Sequence, residues 1–455
     1  MIEIRDIKKV YFIGIGGIGM SALARYFKFH GKEVSGYDKT ETALTIQLTE
    51  EGIPVHYEEN LELAPRDAEL IVITPAVPKE HKELVYYQQN GFTLYKRSEV
   101  LGAITRSSFN ICVAGTHGKT TVTTMVAHIL RHSGYGCNAF LGGIAVNYNS
   151  NYWSHERNVC VVEADEYDRS FLRLSPDIAV ITAMDADHLD IYGTREAMED
   201  AFVEFTAGIK PTGLLVSKLG LKRGNELKGS KKLSYHLQNK QANAYAENIT
   251  MDHGSYGFDV MIEKVSLKGF TLHMGGLHNI ENIVAAITIA HHLGIDEEKI
   301  KAAVEAFKGV KRRFEYIIKE TGLVYIDDYA HHPEELRALI EGAKGLFPDM
   351  HCTLIFQPHL FSRTRDFADG FAQVLDMPDE TFLLPIYPAR EKPIEGVTSS
   401  MVADKMKKKA TLVNKQELLD IIGNKRAYSR ELELIITAGA GDIDSLIQPI
   451  KEILE

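Results

Sequence analysis

Two glycine-rich turns constrain this chain more than anything else in it. Each stands between an apolar run and a pattern with helical period. "KKVYFIGIGGIGMSALARYF" carries the first and "SSFNICVAGTHGKTTVTTMVAHILRHSG" the second. An apolar strand that runs into a tight glycine turn and then into a helix is the building unit of a parallel α/β sheet. Backbone N–H groups curled at such a turn, backed by the positive end of a helix, form a site for phosphate. Two of them in one chain imply two phosphate compounds.

The same unit recurs along the chain. "EVSGYD", "AELIVITPAV" and "NGFTLYKR" read as further strands of the first region. After Arg106 the pattern restarts, and "RNVCVVEADEYD" and "PDIAVITAMDADHLD" are buried-type strands ending in acids. The stretch from about Lys218 to Gly275 is rich in Lys, Gly and Asn and reads as variable, before the long helix of "GGLHNIENIVAAITIAHHLG". "FKGVKRRFE" reads as a hinge into a third region of strands with polar ends: "GLVYIDDYAHH", "CTLIFQPHLFSR", "ETFLLPIYPAR" and "LELIITAGAGD". The expected organisation is α/β throughout, with a Rossmann-like domain over residues 1–107, a central phosphate-loop domain with a parallel sheet over 108–312, and a second Rossmann-like domain over 313–455. A length of 455 residues suits three such domains. In open α/β sheets ligands sit at the carboxyl ends of strands, where all these polar motifs fall.

Charge and cysteine use exclude several classes. With 51 basic and 62 acidic residues the net charge is −11, so no basic face for nucleic acid is expected. Cys112, Cys137, Cys160 and Cys352 are dispersed without a CxxC pair. That argues against a disulfide framework or structural zinc and for reduced thiols in a cytoplasm. "VYFIGIGGIGM" is too short and glycine-rich to span a bilayer and lacks a basic leader, so neither a membrane partner nor a signal peptide is expected.

In "GTHGKTT", Gly115 and Gly118 allow the backbone to curl around a phosphate, with Thr116, His117 and Thr121 completing the loop. Lys119 supplies a point charge for the outer phosphates of a triphosphate, and the Thr120 hydroxyl is placed to ligate magnesium. The spacing departs from the usual phosphate-loop pattern, so the loop is tighter or differently entered. Glu163 ends a hydrophobic run and can hold the metal opposite Thr120. "MDADHLD" adds Asp185, Asp187 and His188; a histidine on hard magnesium implies a second, looser site. In the first turn, Gly14, Gly16, Gly17 and Gly19 precede Asp38, which follows Gly19 by 19 residues. That is a diphosphate cradle with an acid for a ribose hydroxyl, common to dinucleotides and to nucleoside diphosphate sugars.

Taken in order, "GIGGIGMSALA", "GTHGKTT", "EADE", "DADHLDIYG", "HNIENIVAA", "GVKRRFE", "DDYAHHPEEL", "FQPHLFSRTRDF" and "AGAGDID" resemble the Mur ligase family over nearly the whole chain. The resemblance implies that the first domain binds UDP-N-acetylmuramate, the second ATP, and the third the incoming amino acid, L-alanine. It implies an acyl phosphate made from the muramate carboxylate and ATP, then attack by the alanine amine with release of phosphate, in peptidoglycan precursor synthesis. Thr120 and Glu163 would take one magnesium, or manganese, and His188 a second. His278, Asn279 and Asn282 would contact the adenine side. Arg313 would reach the γ-phosphate from the hinge, Asp328 would face the nucleotide, and Tyr329 and His331 the alanine and acyl phosphate, with His331 as candidate base. Many alanine-adding members carry Arg where this chain has Leu360, which leaves the amino-acid carboxylate to Arg363, or to a replacement such as Arg390. Members that add a whole tripeptide during wall recycling share most of these motifs and form the alternative. A remote one, an NAD-dependent oxidoreductase built on "GIGGIG" and Asp38, leaves "GTHGKTT" and "DADHLD" unexplained. A monomer or weak dimer is expected.

Overall fold

A computed structural model describes residues 4, 6–185, 189–252, 254–389, 391–428 and 434–455. Three sheets appear in chain order. The first has five parallel strands in the spatial order Val55–His56, Glu33–Tyr37, Lys9–Ile13, Leu70–Ile73 and Leu94–Lys96. The central strand, KVYFI, is apolar on both faces because both are covered. Strand order reverses beside it, so the first glycine turn lies at the topological switch point, where open α/β sheets take ligands.

The second sheet has ten strands. Their order is Val265–Leu272, Ser255–Ile262, Ala244–Asp252, Lys231–His236, Leu214–Lys218, Ile178–Ile181, Phe109–Ala114, Val159–Glu163, Asn138–Ala145 and Ser150–Trp153. Phe109–Ala114 runs parallel between Val159–Glu163 and Ile178–Ile181, and this central position delivers the second glycine turn to the middle of the sheet's carboxyl edge. The stretch read as variable forms four strands. Ser255–Ile262 alternates strictly between buried and half-buried residues, the mark of a sheet with only one face covered. The third sheet has six strands in the order Glu315–Glu320, Leu323–Asp328, Leu434–Ala438, Cys352–Phe356, Glu380–Leu383 and Thr411–Leu412. Only its first pair is antiparallel.

The chain groups into two compact units, one of Met1–Glu247, Asp259–Phe270 and Glu281–Phe307, the other of Asn248–Phe258, Thr271–Ile280 and Lys308–Glu455. In the first unit one apolar core is continuous from Val10, Phe12 and Phe27 to Phe140, Tyr152 and Phe202. The helix Ile18–Phe29 is locked to the strand Ser150–Trp153 by a buried Arg25, which donates to Glu51 at 2.6 and 2.8 Å and also to the Asn151 amide oxygen. The second unit has its own core around Tyr325, Ile355, Phe382 and Ile435. All four cysteines are buried free thiols. Among the described residues no helix is long and apolar enough to cross a membrane.

Candidate active site

The second glycine turn leaves the strand Phe109–Ala114 and enters the helix Lys119–His132 through Gly118, whose φ of +81° is a left-handed conformation that a side chain would strain. The neighbouring strand end shapes the loop. Thr182 donates its hydroxyl to the carbonyls of Ala114 and His117. The Thr116 N–H donates to the Ala183 carbonyl at 3.2 Å, and the Asp185 N–H to Thr116 Oγ1 at 3.1 Å. Gly115 is required by this packing, since a β-carbon there would stand 2.2 Å from Thr182 Oγ1. Asn282 borders the same turn, its Oδ1 lying 3.0 Å from where a β-carbon of Gly118 would be. Thr121 is buried in the helix and His117 is exposed.

Two glutamates face the start of that helix. Lys119 Nζ donates to Glu166 Oε1 at 2.6 Å, and Thr120 Oγ1 donates to Glu163 Oε1 at 3.0 Å. The other oxygen of Glu163 accepts the Gly142 N–H at 2.9 Å. Burial pushes both carboxyls above the ordinary carboxylate range, and the Lys119 ammonium pulls them back. Glu166 is fully buried, and its Oε2 has no hydrogen-bond partner among the described residues. A hydroxyl and a carboxylate 3.0 Å apart form an all-oxygen pair that suits magnesium. Among the described residues no group of three or more His, Cys, Asp or Glu gathers as a metal site. His188 and Asp187 lie outside the described residues. The sequence reading picked Glu163 and missed Glu166. Its signal was available: a half-buried phosphate-loop lysine needs an anion, and "EADE" offers a second acid three residues on.

The first glycine turn is held to the adjacent strand, where the N–H groups of Gly14 and Ile15 both donate to the Tyr37 carbonyl at 2.8 and 2.9 Å. Asp38 locks it further. Its Oδ2 accepts the Gly16 N–H at 2.7 Å and its Oδ1 the Thr40 N–H at 3.2 Å. The acid assigned to a ribose hydroxyl thus also fixes the backbone of the cradle. A β-carbon on Gly16 would stand 2.8 Å from that carboxylate. Gly17 begins the helix Ile18–Phe29 without a side-chain cap, which leaves the helix's first N–H groups to an anion.

In the second unit, Arg312 and Asp327 form a buried pair at 3.1 Å, with Thr437 donating to the other Asp327 oxygen at 2.6 Å. Their sequence neighbours carry the predicted site. Asp328 accepts the N–H groups of Phe314 and Ala330, both at 2.7 Å. The Arg313 guanidinium lies 5.5 Å from the centre of the Tyr329 ring. His331 Nδ1–H donates to the Tyr329 carbonyl at 2.9 Å, since a carbonyl can only accept, and this leaves Nε2 as the basic nitrogen. Burial lowers the His331 pKa, with Glu335 pulling the other way. His359, which the sequence reading did not single out, has its ring 6.0 Å from that of His331 and accepts a hydrogen bond from Arg363 at 3.3 Å. Burial, then His331 and Arg363, push its pKa down to about 4. Leu360 holds a φ of +69° at the start of the helix Phe361–Asp366. The Asn279 amide donates to the Gly275 carbonyl at 2.6 Å, and the His278 ring stands against Gly276. Arg390 lies outside the described residues.

Three family models match in chain order: Mur ligase family, catalytic domain, over residues 9–109; Mur ligase middle domain over 113–290; and Mur ligase, glutamate ligase domain, over 312–441. The chain is 47% identical over 457 residues to a UDP-N-acetylmuramate–L-alanine ligase of Flavobacterium johnsoniae, covering 99% of each. It is 48% identical over 461 residues to the protein of the same description from Parabacteroides distasonis, covering 99% of this chain and 98% of that one. Among solved structures, a UDP-N-acetylmuramate-alanine ligase of Thermotoga maritima superposes with a TM-score of 0.83 at 29% identity, over 98% of both chains. A murein peptide ligase of Psychrobacter arcticus shares the fold, with a TM-score of 0.67 at 22% identity over 98% of both.

Proposed function

The chain belongs to the Mur ligase family, and from that premise we propose that it joins L-alanine to the carboxylate of UDP-N-acetylmuramate at the expense of ATP. The observation that carries this reading is the turn at Lys119 and Thr120 facing two glutamates, the buried Glu166 and the half-buried Glu163, at 2.6 and 3.0 Å. It stands in the same compact unit as a second anion cradle at Gly14–Gly19. Full-length identity of 47–48% to alanine-adding relatives supports L-alanine over a tripeptide.

A carboxylate does not condense with an amine in water, because oxide is no leaving group. Transfer of the γ-phosphoryl of ATP to the muramate carboxylate supplies one. Both reactants are anions, so their repulsion is the main barrier, and the chain sets cations and dipoles against it. Lys119 meets the outer phosphates, the helix Lys119–His132 points its positive end at them, and N–H groups of the Gly115–Gly118 loop, other than that of Thr116, would hold the inner ones. Thr120 and Glu163 would hold magnesium, whose charge offsets that of the triphosphate when bound. Asn282, which borders Gly118, would contact the nucleoside end. For the second step the alanine ammonium must lose a proton. His331, kept neutral by burial with Nδ1–H fixed on a carbonyl, offers Nε2 to receive it. Arg363 and Arg313 would take anionic groups of the amino acid and the phosphate; Asp328 braces the backbone next to Arg313 and His331 through the N–H groups of Phe314 and Ala330.

The test is ADP and phosphate release from ATP with magnesium and UDP-N-acetylmuramate, scanned over amino acids and the recycling tripeptide, with Lys119→Ala as control. L-Alanine should drive turnover and the tripeptide should not. The absence of ADP with every amino acid overturns the proposal.

A further inference from the structure

Phe314 follows Arg313 and holds a φ of +49°, a left-handed conformation that strains a bulky residue. Arg312, on the other side of Arg313, is left-handed too, at +61°. Such strain persists only where the surroundings fix it, and here they do. The Phe314 N–H donates to Asp328 at 2.7 Å, and its buried ring lies against two glycines. A β-carbon built on Gly275 would stand 2.0 and 2.1 Å from Cε1 and Cζ of that ring, so the ring fills the place of a side chain. Gly275 is not among the residues of positive φ, so this close approach, and not its backbone angle, requires the glycine. A β-carbon on Gly342, in the helix Pro333–Leu346, would lie 3.5 Å from Phe314 Cε2.

The same backbone seats the residues assigned to adenine. The Gly275 carbonyl accepts the Asn279 side-chain amide at 2.6 Å, and the Gly276 carbonyl accepts the Asn279 N–H at 2.9 Å. One ring thus rests on the segment that holds Asn279 and belongs to the residue joined to Arg313. All of these residues lie in the second compact unit.

We propose that Phe314 is a positioning residue that makes the placing of Arg313 depend on the seating of the base at His278 and Asn279. The proposal rests on the reading of those two residues as adenine-side contacts and of Arg313 as the γ-phosphate arginine. A base that engages Asn279 draws on the Gly275 carbonyl through the same amide. Gly275 has no side chain to absorb the shift, and a close-packed interior passes it to the ring. A triphosphate with the wrong base then binds and still reacts slowly, so that base recognition is felt in kcat as well as in KM.

The test follows phosphate release by the full chain with magnesium, UDP-N-acetylmuramate and L-alanine. It compares ATP with inosine triphosphate, in which a carbonyl replaces the adenine amino group, beside a melting curve of each variant. Wild type should have a kcat roughly 10- to 100-fold higher with ATP. Phe314→Leu removes the ring atoms that meet Gly275. It should lower kcat with ATP by that factor, hold KM for ATP within about twofold and spare kcat with inosine triphosphate. Gly275→Ala should act likewise by driving the ring away; if it melts far below wild type, adding Phe314→Leu returns the space and should restore the Tm. Gly342→Ala, whose β-carbon meets only ordinary contacts, should keep wild-type turnover. In Arg313→Ala, Phe314→Leu should cost no further kcat, because the ring acts through the guanidinium. Equal slowing of both nucleotides by Phe314→Leu marks a merely structural ring and overturns the proposal. So does wild-type turnover in Phe314→Leu, or a further loss in Arg313→Ala. If wild type separates the two nucleotides by KM alone, the adenine assignment stands and the role of Phe314 falls. If it separates them by neither, the assignment of His278 and Asn279 fails and takes the proposal with it. If no amino acid yields phosphate from ATP, the ligase reading itself fails.

Discussion

Alanine in place of Gly142 separates catalysis from stability at one atom. Gly142 lies in the strand Asn138–Ala145 and donates its N–H to Glu163 Oε2 at 2.9 Å. A β-carbon built there would stand 2.2 Å from both oxygens of that carboxylate. Non-bonded contact needs about 3.5 Å, so the carboxylate must retreat by about 1 Å. It is the far end of a flexible side chain, and Gly142 is not among the residues of positive φ. The change in folding free energy should therefore stay within about 1 kcal/mol, and the Tm within about 4 °C. Catalysis has no such slack. A group misplaced by about 1 Å costs on the order of 10²-fold in rate, and here the 3.0 Å bond from Thr120 to Glu163 is broken as well. Gly142→Ala should release ADP roughly 100-fold more slowly and need more magnesium. A magnesium titration of ADP release, beside a melting curve, reads both quantities. Wild-type turnover at the wild-type magnesium requirement, in a folded variant, would refute the placing of Glu163 at the metal.

Glu166→Gln removes the anion that Lys119 meets at 2.6 Å, and breaking a buried pair costs about 3–5 kcal/mol. Its melting temperature should fall, and ATP with magnesium should raise it by more than in wild type, because the triphosphate then supplies the missing anion; an equal rise in both would count against this. His331→Gln should slow amide formation by about 10²-fold or more while acyl phosphate still forms, followed by trapping and by product release; unimpaired amide formation removes His331 as the base. His128 is buried, accepts from Tyr148 at 2.9 Å and donates to the Ala303 carbonyl at 2.8 Å, and burial pushes its pKa from 6.5 down to about 4. The unfolded chain then binds more protons between these values, so stability is full above pH 6.5 and falls as pH drops toward about 4. Melting curves across that window should slope less for His128→Gln, and an unchanged slope would show that another group sets the acid limit.

The strand–turn–helix units were legible because their period and their punctuation agree. VYFI and ICVA are continuous apolar runs closed by glycine, and both lie in central strands. The four strands between Lys231 and Leu272 were not legible as strands. They cover a sheet with one face in solvent, so half their residues are polar. AYAENITMD and VSLKGFTL then look like loop sequence unless alternation is followed residue by residue. The contact of Arg97 with the first glycine turn was invisible for a different reason. Arg97 is the first residue of the helix Arg97–Arg106; its neighbour across space is Gly19, 78 positions away, and no local pattern connects the two.

The paired charges show where sequence reasoning reaches its limit and what lies beyond it. "RR" at 312–313 and "DD" at 327–328 give equal claims to either member. In a strand successive side chains point to opposite faces, so one aspartate of the pair must turn into the sheet. Asp327 does, and it survives there only because Arg312 and Thr437 meet it. That pairing fixes the backbone on both sides. Arg312 sits at φ +61°, its carbonyl accepts the Tyr329 N–H at 2.7 Å, and Asp328 is left at the strand end to accept the Phe314 N–H at 2.7 Å. The arginine–aspartate pair thus braces the backbone on which Arg313 and Tyr329 stand. Loss of Arg312 should cost activity through these neighbours as well as stability.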